Sequence, residues 1–388
     1  MKYGRNSTIL HFRLLGYGRN ASTFGSHVDM KATLVITCAL ISGITLGIPL
    51  QAAPPKADSV KKSDTARPRE LGRVAWLRGF DSAAAKAAAV KKPLLVLFQE
   101  VPGCQTCVKY GDQVLSHPLI VEAAVSLFVP VAVYNNIKGD DERTLKSFQE
   151  PAWNNPVVRI MTNDRTALGK RVAGDYTVGG MARAMVQGLG KHGRKVPAYL
   201  RLLAHESAAR QLGVQRATFA MHCFWEGESA LGRLPGVVST VPGFLGKDEV
   251  VELEFDPRVI KYQELLSKAR AMDCASRVYT RNDAQQETAS RLVGSDAVRS
   301  DDAIRVDSAP KYYMSQTVYK HLPMTALQAA RVNAAIHRKQ DPKRFLSPKQ
   351  IAMLGVIEAH PDAKWPVAIS AISFPLAWQI AVRLAEAL

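Results

Sequence analysis

The sequence predicts an α/β domain followed by an α+β domain. Three observations carry this. At 388 residues the chain is too long for one ordinary core. Short apolar runs alternate with helical stretches between about 82 and 161, the pattern of an α/β layer. From about 216 the order becomes strand, helix, strand, strand, helix, as in an α+β layer. A hydrophobic fraction of 47% fits a chain that folds. The net charge of +17 is spread along the sequence, which suits an anionic or envelope setting. There is no basic stripe interleaved with aromatics, so no nucleic-acid partner is expected.

The first stretch reads as a leader. Lys31 is followed by "ATLVITCALISGITLGIPL" and then by "QAAPPKADS". A positive residue, an apolar run and a small-residue site make a secretory signal peptide, with cleavage near Ala52 or Ala53. Met30 suits a start, which leaves 1–29 as upstream residues. The apolar run approaches bilayer length, so an uncleaved membrane anchor is the alternative. The expected location is periplasmic or secreted, and residues 54–68 read as a linker. Without 1–53, four of the five cysteines remain: Cys104, Cys107, Cys223 and Cys274. That is too few for a disulfide scaffold, and two of them form C-x-x-C.

The first domain is expected over 69–190. Ala-rich 82–90 favours helix. The apolar run 94–99, bounded by Pro93, reads as a buried strand. "VPGC" then turns the chain into a helix over 104–115. Cys104 thus falls at a strand-to-helix turn, where unpaired amides and the helix dipole favour a thiolate. Cys107, one turn later, closes the disulfide. A helix over 119–127, a strand over 129–133, Pro156, a strand over 157–161 and a turn at 163–165 follow. A lone C-x-x-C supplies two ligands and no second pair lies at zinc spacing, so neither a metal nor a cofactor is expected. This order resembles the thioredoxin fold. The resemblance implies that Pro156 takes the place of the cis-proline that faces the C-x-x-C. Gln-Thr stands between the cysteines, and "VPG" precedes them in place of the usual tryptophan.

The second domain is expected over 216–338. A strand over 218–221 leads to Cys223, and a helix over 224–231 follows, so this cysteine also precedes a helix. A strand over 237–241, alternation over 249–255 and an amphipathic helix complete the pattern. The ordered set "HCFW", "LPGV", "GF", "GKDE" and "FDP" resembles the A-type peptide methionine sulfoxide reductases over about 216–290. The resemblance implies Cys223 as nucleophile and Phe224 and Trp225 as the apolar wall for the substrate methyl group. It implies Glu249 as the carboxyl group on the sulfoxide oxygen, and places Asn282 and Asp283 at the family's "GND" segment. Two family tyrosines are missing, and His222 replaces a glycine. Tyr279 is near one of those places but unaligned. Cys274 is the candidate to resolve a sulfenic acid on Cys223. "PKYYMSQTVYKHLPMT" reads as packing for the sheet.

A helical linker is expected over 191–215, and an amphipathic helical tail over 339–388. The reading that follows is an exported thiol oxidoreductase. It reduces methionine sulfoxide of the S epimer in proteins or peptides, with electrons relayed through the C-x-x-C domain from an external thiol or disulfide reductant. The alternatives are a thiol–disulfide or peroxide reductase with a degenerate second domain, and a non-enzymatic envelope module that binds peptides.

Overall fold

In the computed structural model, which describes residues 67–369 and 373–388, the first half of the chain builds a four-stranded sheet. Its strands are β1 (Leu94–Gln99), β2 (Val129–Tyr134), β3 (Val157–Met161) and β4 (Val172–Ala173), in the order β2–β1–β3–β4. β1 pairs parallel with β2 and antiparallel with β3. All six residues of β1 are buried. Leu95 and Leu97 enter one core cluster, while Leu94, Val96 and Phe98 enter a second. This is the period-2 alternation of a strand covered on both faces, which is why the run is apolar throughout.

Five helices surround this sheet: α1 (Phe80–Val90), α2 (Gln105–Gln113), α3 (Pro118–Leu127), α4 (Asp140–Ser147) and α5 (Val178–Lys191). α1 ends where Lys91 turns left-handed at φ 52°, two residues before Pro93. α2 is shorter than the expected 104–115, because Cys104 is its N-cap and stays extended.

The next helix, α6 (Ala198–Leu212), corrects the linker reading. It is helical as expected, but Tyr199, Leu200 and Leu203 lie in the core of the first half. Its other side meets the second half. The Glu206 carboxylate accepts from the Leu327 N–H at 3.0 Å, and Arg210 pairs with Glu254 at 3.2 Å. Apolar residues placed on such a helix are buried, which a solvated linker would not offer.

The second sheet has β5 (Gln215–Ala220), β6 (Val237–Leu245), β7 (Asp248–Phe255), β8 (Arg277–Thr280), β9 (Ala297–Arg299) and β10 (Arg305–Val306). Their order is β10–β6–β7–β5–β8–β9. β6 and β7 form a hairpin through Gly246, whose φ of 60° suits a tight turn. Along β7, Val251, Leu253 and Phe255 enter the core, and Glu252 and Glu254 face the other way. α7 (Phe224–Gly232), α8 (Tyr262–Arg270) and α9 (Asp283–Val293) belong to this half.

The chain finishes with α10 (Tyr312–Ser315), α11 (Ala326–His337), α12 (Pro348–Ala359) and α13 (Phe374–Glu386). α11 and α12 each open with a capping box, Thr325 with Gln328 and Ser347 with Gln350. α13 docks as its amphipathic pattern predicts, with Phe374 buried 5.5 Å from the His117 ring. All described residues belong to one compact unit. The expected signal peptide or anchor, Cys38 and residues 54–66 of the linker lie outside the described residues. Among the described residues no helix is long and apolar enough to cross a membrane.

Candidate functional site

The chain carries two thiol centres. The first lies where β1 ends. Cys104 is exposed at the N-cap of α2, and Cys107 is fully buried one turn on. Their sulfurs are 3.5 Å apart, both as thiols. Gly103 permits this approach: a Cβ there would lie 2.8 Å from the Cβ of Cys107 and 2.3 Å from the Glu100 carbonyl. The Gly103 N–H donates to the buried Glu70 carboxylate at 2.8 Å. Gln99, also buried, donates to the Cys107 carbonyl at 3.2 Å.

Opposite stands the loop before β3. The Asn155–Pro156 bond is cis, the geometry the thioredoxin resemblance implies for Pro156. Asn155 accepts a hydrogen bond from the Cys107 thiol. The sequence reading missed Asn155, although it directly precedes the proline that was singled out. It also missed Glu100, whose carboxylate and the two sulfurs lie within 4.8 Å of one another. Three donors are one short of a tetrahedral protein set.

The two thiols differ in acidity. Cys104 is held below the ordinary thiol value, chiefly by the hydrogen bond from the Cys107 backbone N–H, with the Cys107 thiol helping. Burial pushes Cys107 up to about 12, and the neighbouring Cys104 adds to it. An accessible acidic thiol paired with a buried weak one can attack a disulfide and then release the product.

The second centre lies where β5 ends. Cys223 is the half-buried N-cap of α7. The Phe224 N–H donates to the Glu249 carboxylate at 3.0 Å, so β7 sets an acid beside the cysteine. Phe224 is buried against Phe244, with ring centres 5.2 Å apart. Trp225 donates from Nε1 to Asp307 at 3.0 Å. Its ring lies flat under Tyr312, with centroids 3.9 Å apart and planes 9° from parallel. The wall expected from Phe224 and Trp225 therefore has one indole face already covered.

Tyr312 and Tyr313 belong to the segment that the sequence reading assigned to sheet packing. They reach this centre through a chain of anchors. β10 pairs with β6, and the Asp307 N–H donates to the Pro242 carbonyl at 3.0 Å. Lys311 then inserts under the sheet. Its ammonium donates to Glu228 and to the Thr240 carbonyl, each at 2.6 Å, and its own N–H meets Glu228 at 2.7 Å. Tyr313 stacks on His337 at 3.8 Å, and His337 is hydrogen bonded to Ser229 of α7 at 2.9 Å. The Tyr313 phenol is raised above its usual value, first by burial and then by the charges of Glu226 and Cys223. The paired aromatics in "KYY" were the available signal.

Among the described residues, no hydrogen bond joins Cys274 or Asp283 to Cys223. Cys274 is buried, and its thiol donates to the Met272 carbonyl at 3.2 Å. Burial raises it to about 11, with the charges of Asp273 and Glu226 adding to the effect. Asp283 opens α9 with its side chain fully in solvent, paired to Arg299 at 3.0 Å. Asn282 caps α9 by accepting from the Gln285 N–H. Tyr279 donates to Asp248 at 2.8 Å, and so lies on the opposite side of β7 from Glu249. His222 is exposed. Among the described residues, no hydrogen bond or ion pair joins the Cys104–Cys107 pair to the Cys223 centre.

The Cys104–Cys107 pair falls within a stretch that matches a known family. Residues 75–162 match a family described as thioredoxin-like, so the chain carries a thioredoxin-like domain there. The chain is also similar to peptide methionine sulfoxide reductases. It is 37% identical over 73 residues to the A5 protein of Oryza sativa subsp. japonica, covering 16% of this chain and 29% of that one. Over 70 residues it is 37% identical to a protein of Geobacter sulfurreducens, covering 14% and 43%. For a protein of Methanoculleus marisnigri the figures are 36% over 75 residues, covering 15% and 46%. The chain spans less than half the length of these curated relatives. The chain thus carries a thioredoxin-like domain and, besides it, a segment similar to methionine sulfoxide reductases.

Proposed function

We propose that the protein is an exported thiol oxidoreductase that reduces methionine sulfoxide, of the S epimer, in proteins or peptides at Cys223. The observation that carries this reading is the Glu249 carboxylate held on the Phe224 N–H, beside Cys223 and an aromatic wall. In the first step the Cys223 thiolate attacks the sulfoxide sulfur. Glu249 delivers a proton to the oxygen, which transfers to the cysteine as a sulfenic acid while the thioether leaves reduced. A second thiol condenses with the sulfenic acid and releases water. Cys274 meets this need only if its buried thiol leaves the Met272 carbonyl. Cys104 then exchanges with that disulfide, Cys107 completes the Cys104–Cys107 disulfide, and an external dithiol reduces it.

The test combines turnover and mapping. Dithiothreitol-driven reduction of each epimer should proceed on the S form and stop in Cys223→Ser. Equal activity in that variant would reject Cys223 as nucleophile. Activity on the R form alone would reject the epimer. One equivalent of sulfoxide added to reduced protein should leave oxidation at Cys104–Cys107, mapped by mass spectrometry; a pair that stays reduced ends the relay.

A second reading is favoured by Tyr312, which lies flat on Trp225 where a methyl group would dock. In it, Cys104 and Cys107 reduce disulfides or peroxide, and the second half no longer turns over sulfoxide. Disulfide reduction without sulfoxide turnover distinguishes it.

A further inference from the structure

Away from the Cys104–Cys107 pair and from Cys223, a cavity of about 330 Å³ opens at the C-terminal end of α7. Four arginines line it: Arg233, Arg331, Arg338 and Arg344. They come from three places in the chain: the end of α7, the middle of α11 and its C-cap, and the turn before α12. Ala334, Ala335 and Phe345 supply the apolar part of the wall.

What distinguishes these arginines is their partners. Among the described residues, none of the four pairs with a carboxylate. Arg331 donates to the Gly232 carbonyl, to Leu234 at 2.9 Å and to Val237 at 3.2 Å. Arg233 donates to the Met272 sulfur at 3.3 Å, and Arg344 to the Gln340 amide oxygen at 3.0 Å. Arg344 also lies over the Phe345 ring, 4.6 Å from its centre. The nearest acid in sequence, Asp341, accepts from the Lys343 N–H at 2.9 Å. Every partner is neutral, so the positive charge gathered at the cavity has no protein counterion. Burial even draws the Arg331 guanidinium down to about 10, because nothing negative stabilises it.

Like charges converging on one concavity repel, and a bound anion relieves that repulsion. Guanidinium groups present parallel N–H donors that match the oxygens of a phosphoryl group. The cavity is the size of a small-molecule pocket and offers more room than a bare phosphate ion fills. We propose that it binds a small phosphorylated ligand, its phosphoryl oxygens held by Arg331, Arg338 and Arg344 and its organic part on Ala334, Ala335 and Phe345. This site is independent of the sulfoxide reading.

Isothermal titration of the full chain with inorganic diphosphate at low salt tests it, since salt screens such contacts. One diphosphate should bind per chain, at least ten-fold more tightly than succinate, a dianion without tetrahedral oxygens. The Arg338→Gln/Arg344→Gln double variant should weaken binding at least ten-fold. Both residues are exposed, so its thermal midpoint should match the wild type. Arg67→Gln, an exposed arginine elsewhere, should leave binding unchanged. No diphosphate binding at millimolar concentration, equal affinity for succinate, or unaltered binding in the double variant would each overturn the proposal.

Discussion

The Glu249 carboxylate accepts a hydrogen bond from the backbone N–H of Phe224, at 3.0 Å. It therefore does two things at once: it caps the free amide at the start of α7, and it stands one residue from the Cys223 thiol. Glu249→Gln preserves an oxygen acceptor for the cap but removes the acid. Sulfoxide turnover in this variant should fall by about two to four orders of magnitude, the usual cost of losing a general acid. The thermal midpoint should hold. Steady-state kinetics on the S epimer check this, and a loss of only a few-fold removes Glu249 from the proton transfer.

Tyr313 supplies a hydroxyl group close enough to feel the charge of Cys223. Tyr313→Phe keeps the stack on His337 and deletes only that group. Where the hydroxyl donates to the polarised sulfoxide oxygen, kcat/KM should drop about ten-fold to a hundred-fold, the worth of a hydrogen bond to a charged group. The rate of Cys223 alkylation in the absence of substrate separates this from a change in the thiol itself. An unchanged kcat/KM assigns Tyr313 to packing alone.

The reduced protein should lose stability as pH rises from about 9 to about 12, and Cys107 is the first cause. Its native value is raised from 9.0 to about 12 by burial. In that window the unfolded chain has already released the proton that the native state still holds. The unfolded state binds fewer protons, so unfolding becomes easier with pH. Cys107→Ala should flatten this fall when midpoints of reduced wild type and variant are compared across the window. Iodoacetamide should modify exposed Cys104 well before Cys107 at neutral pH.

Glu228 and Lys311 form a buried pair, with side chains 0% and 7% exposed. Removing one partner leaves a charge buried alone, which costs about 3–5 kcal/mol. Lys311→Met should therefore lower stability in denaturant titration by that order. It should also loosen Tyr312 from Trp225, read as a change in tryptophan fluorescence. Adding Glu228→Gln to it should recover part of the loss. A double variant no more stable than Lys311→Met contradicts an electrostatic origin.

Local features of the two thiol centres were legible along the chain. The apolar run 94–99, Pro93 and the glycine before Cys104 place a cysteine at a strand-to-helix turn, because those signals act within a few residues of one another. Cys223 before Phe224 and Trp225 was legible for the same reason. Glu249 followed from motif order, and the alternation around it marked its strand.

What surrounds the thiols was decided by tertiary packing. Asn155 reaches Cys107 across 48 residues, and Lys311 reaches Glu228 across 83. Nothing periodic in either segment encodes such a meeting; it depends on how the helices and loops of each half close over its sheet. Packing also placed Tyr312 on Trp225, turned Cys274 toward the Met272 carbonyl and left Asp283 in solvent beside Arg299. A sequence pattern tells a buried face from a wet one along its own element. Which distant residue covers that face is settled only when the elements close over one another and each buried polar group must find a partner.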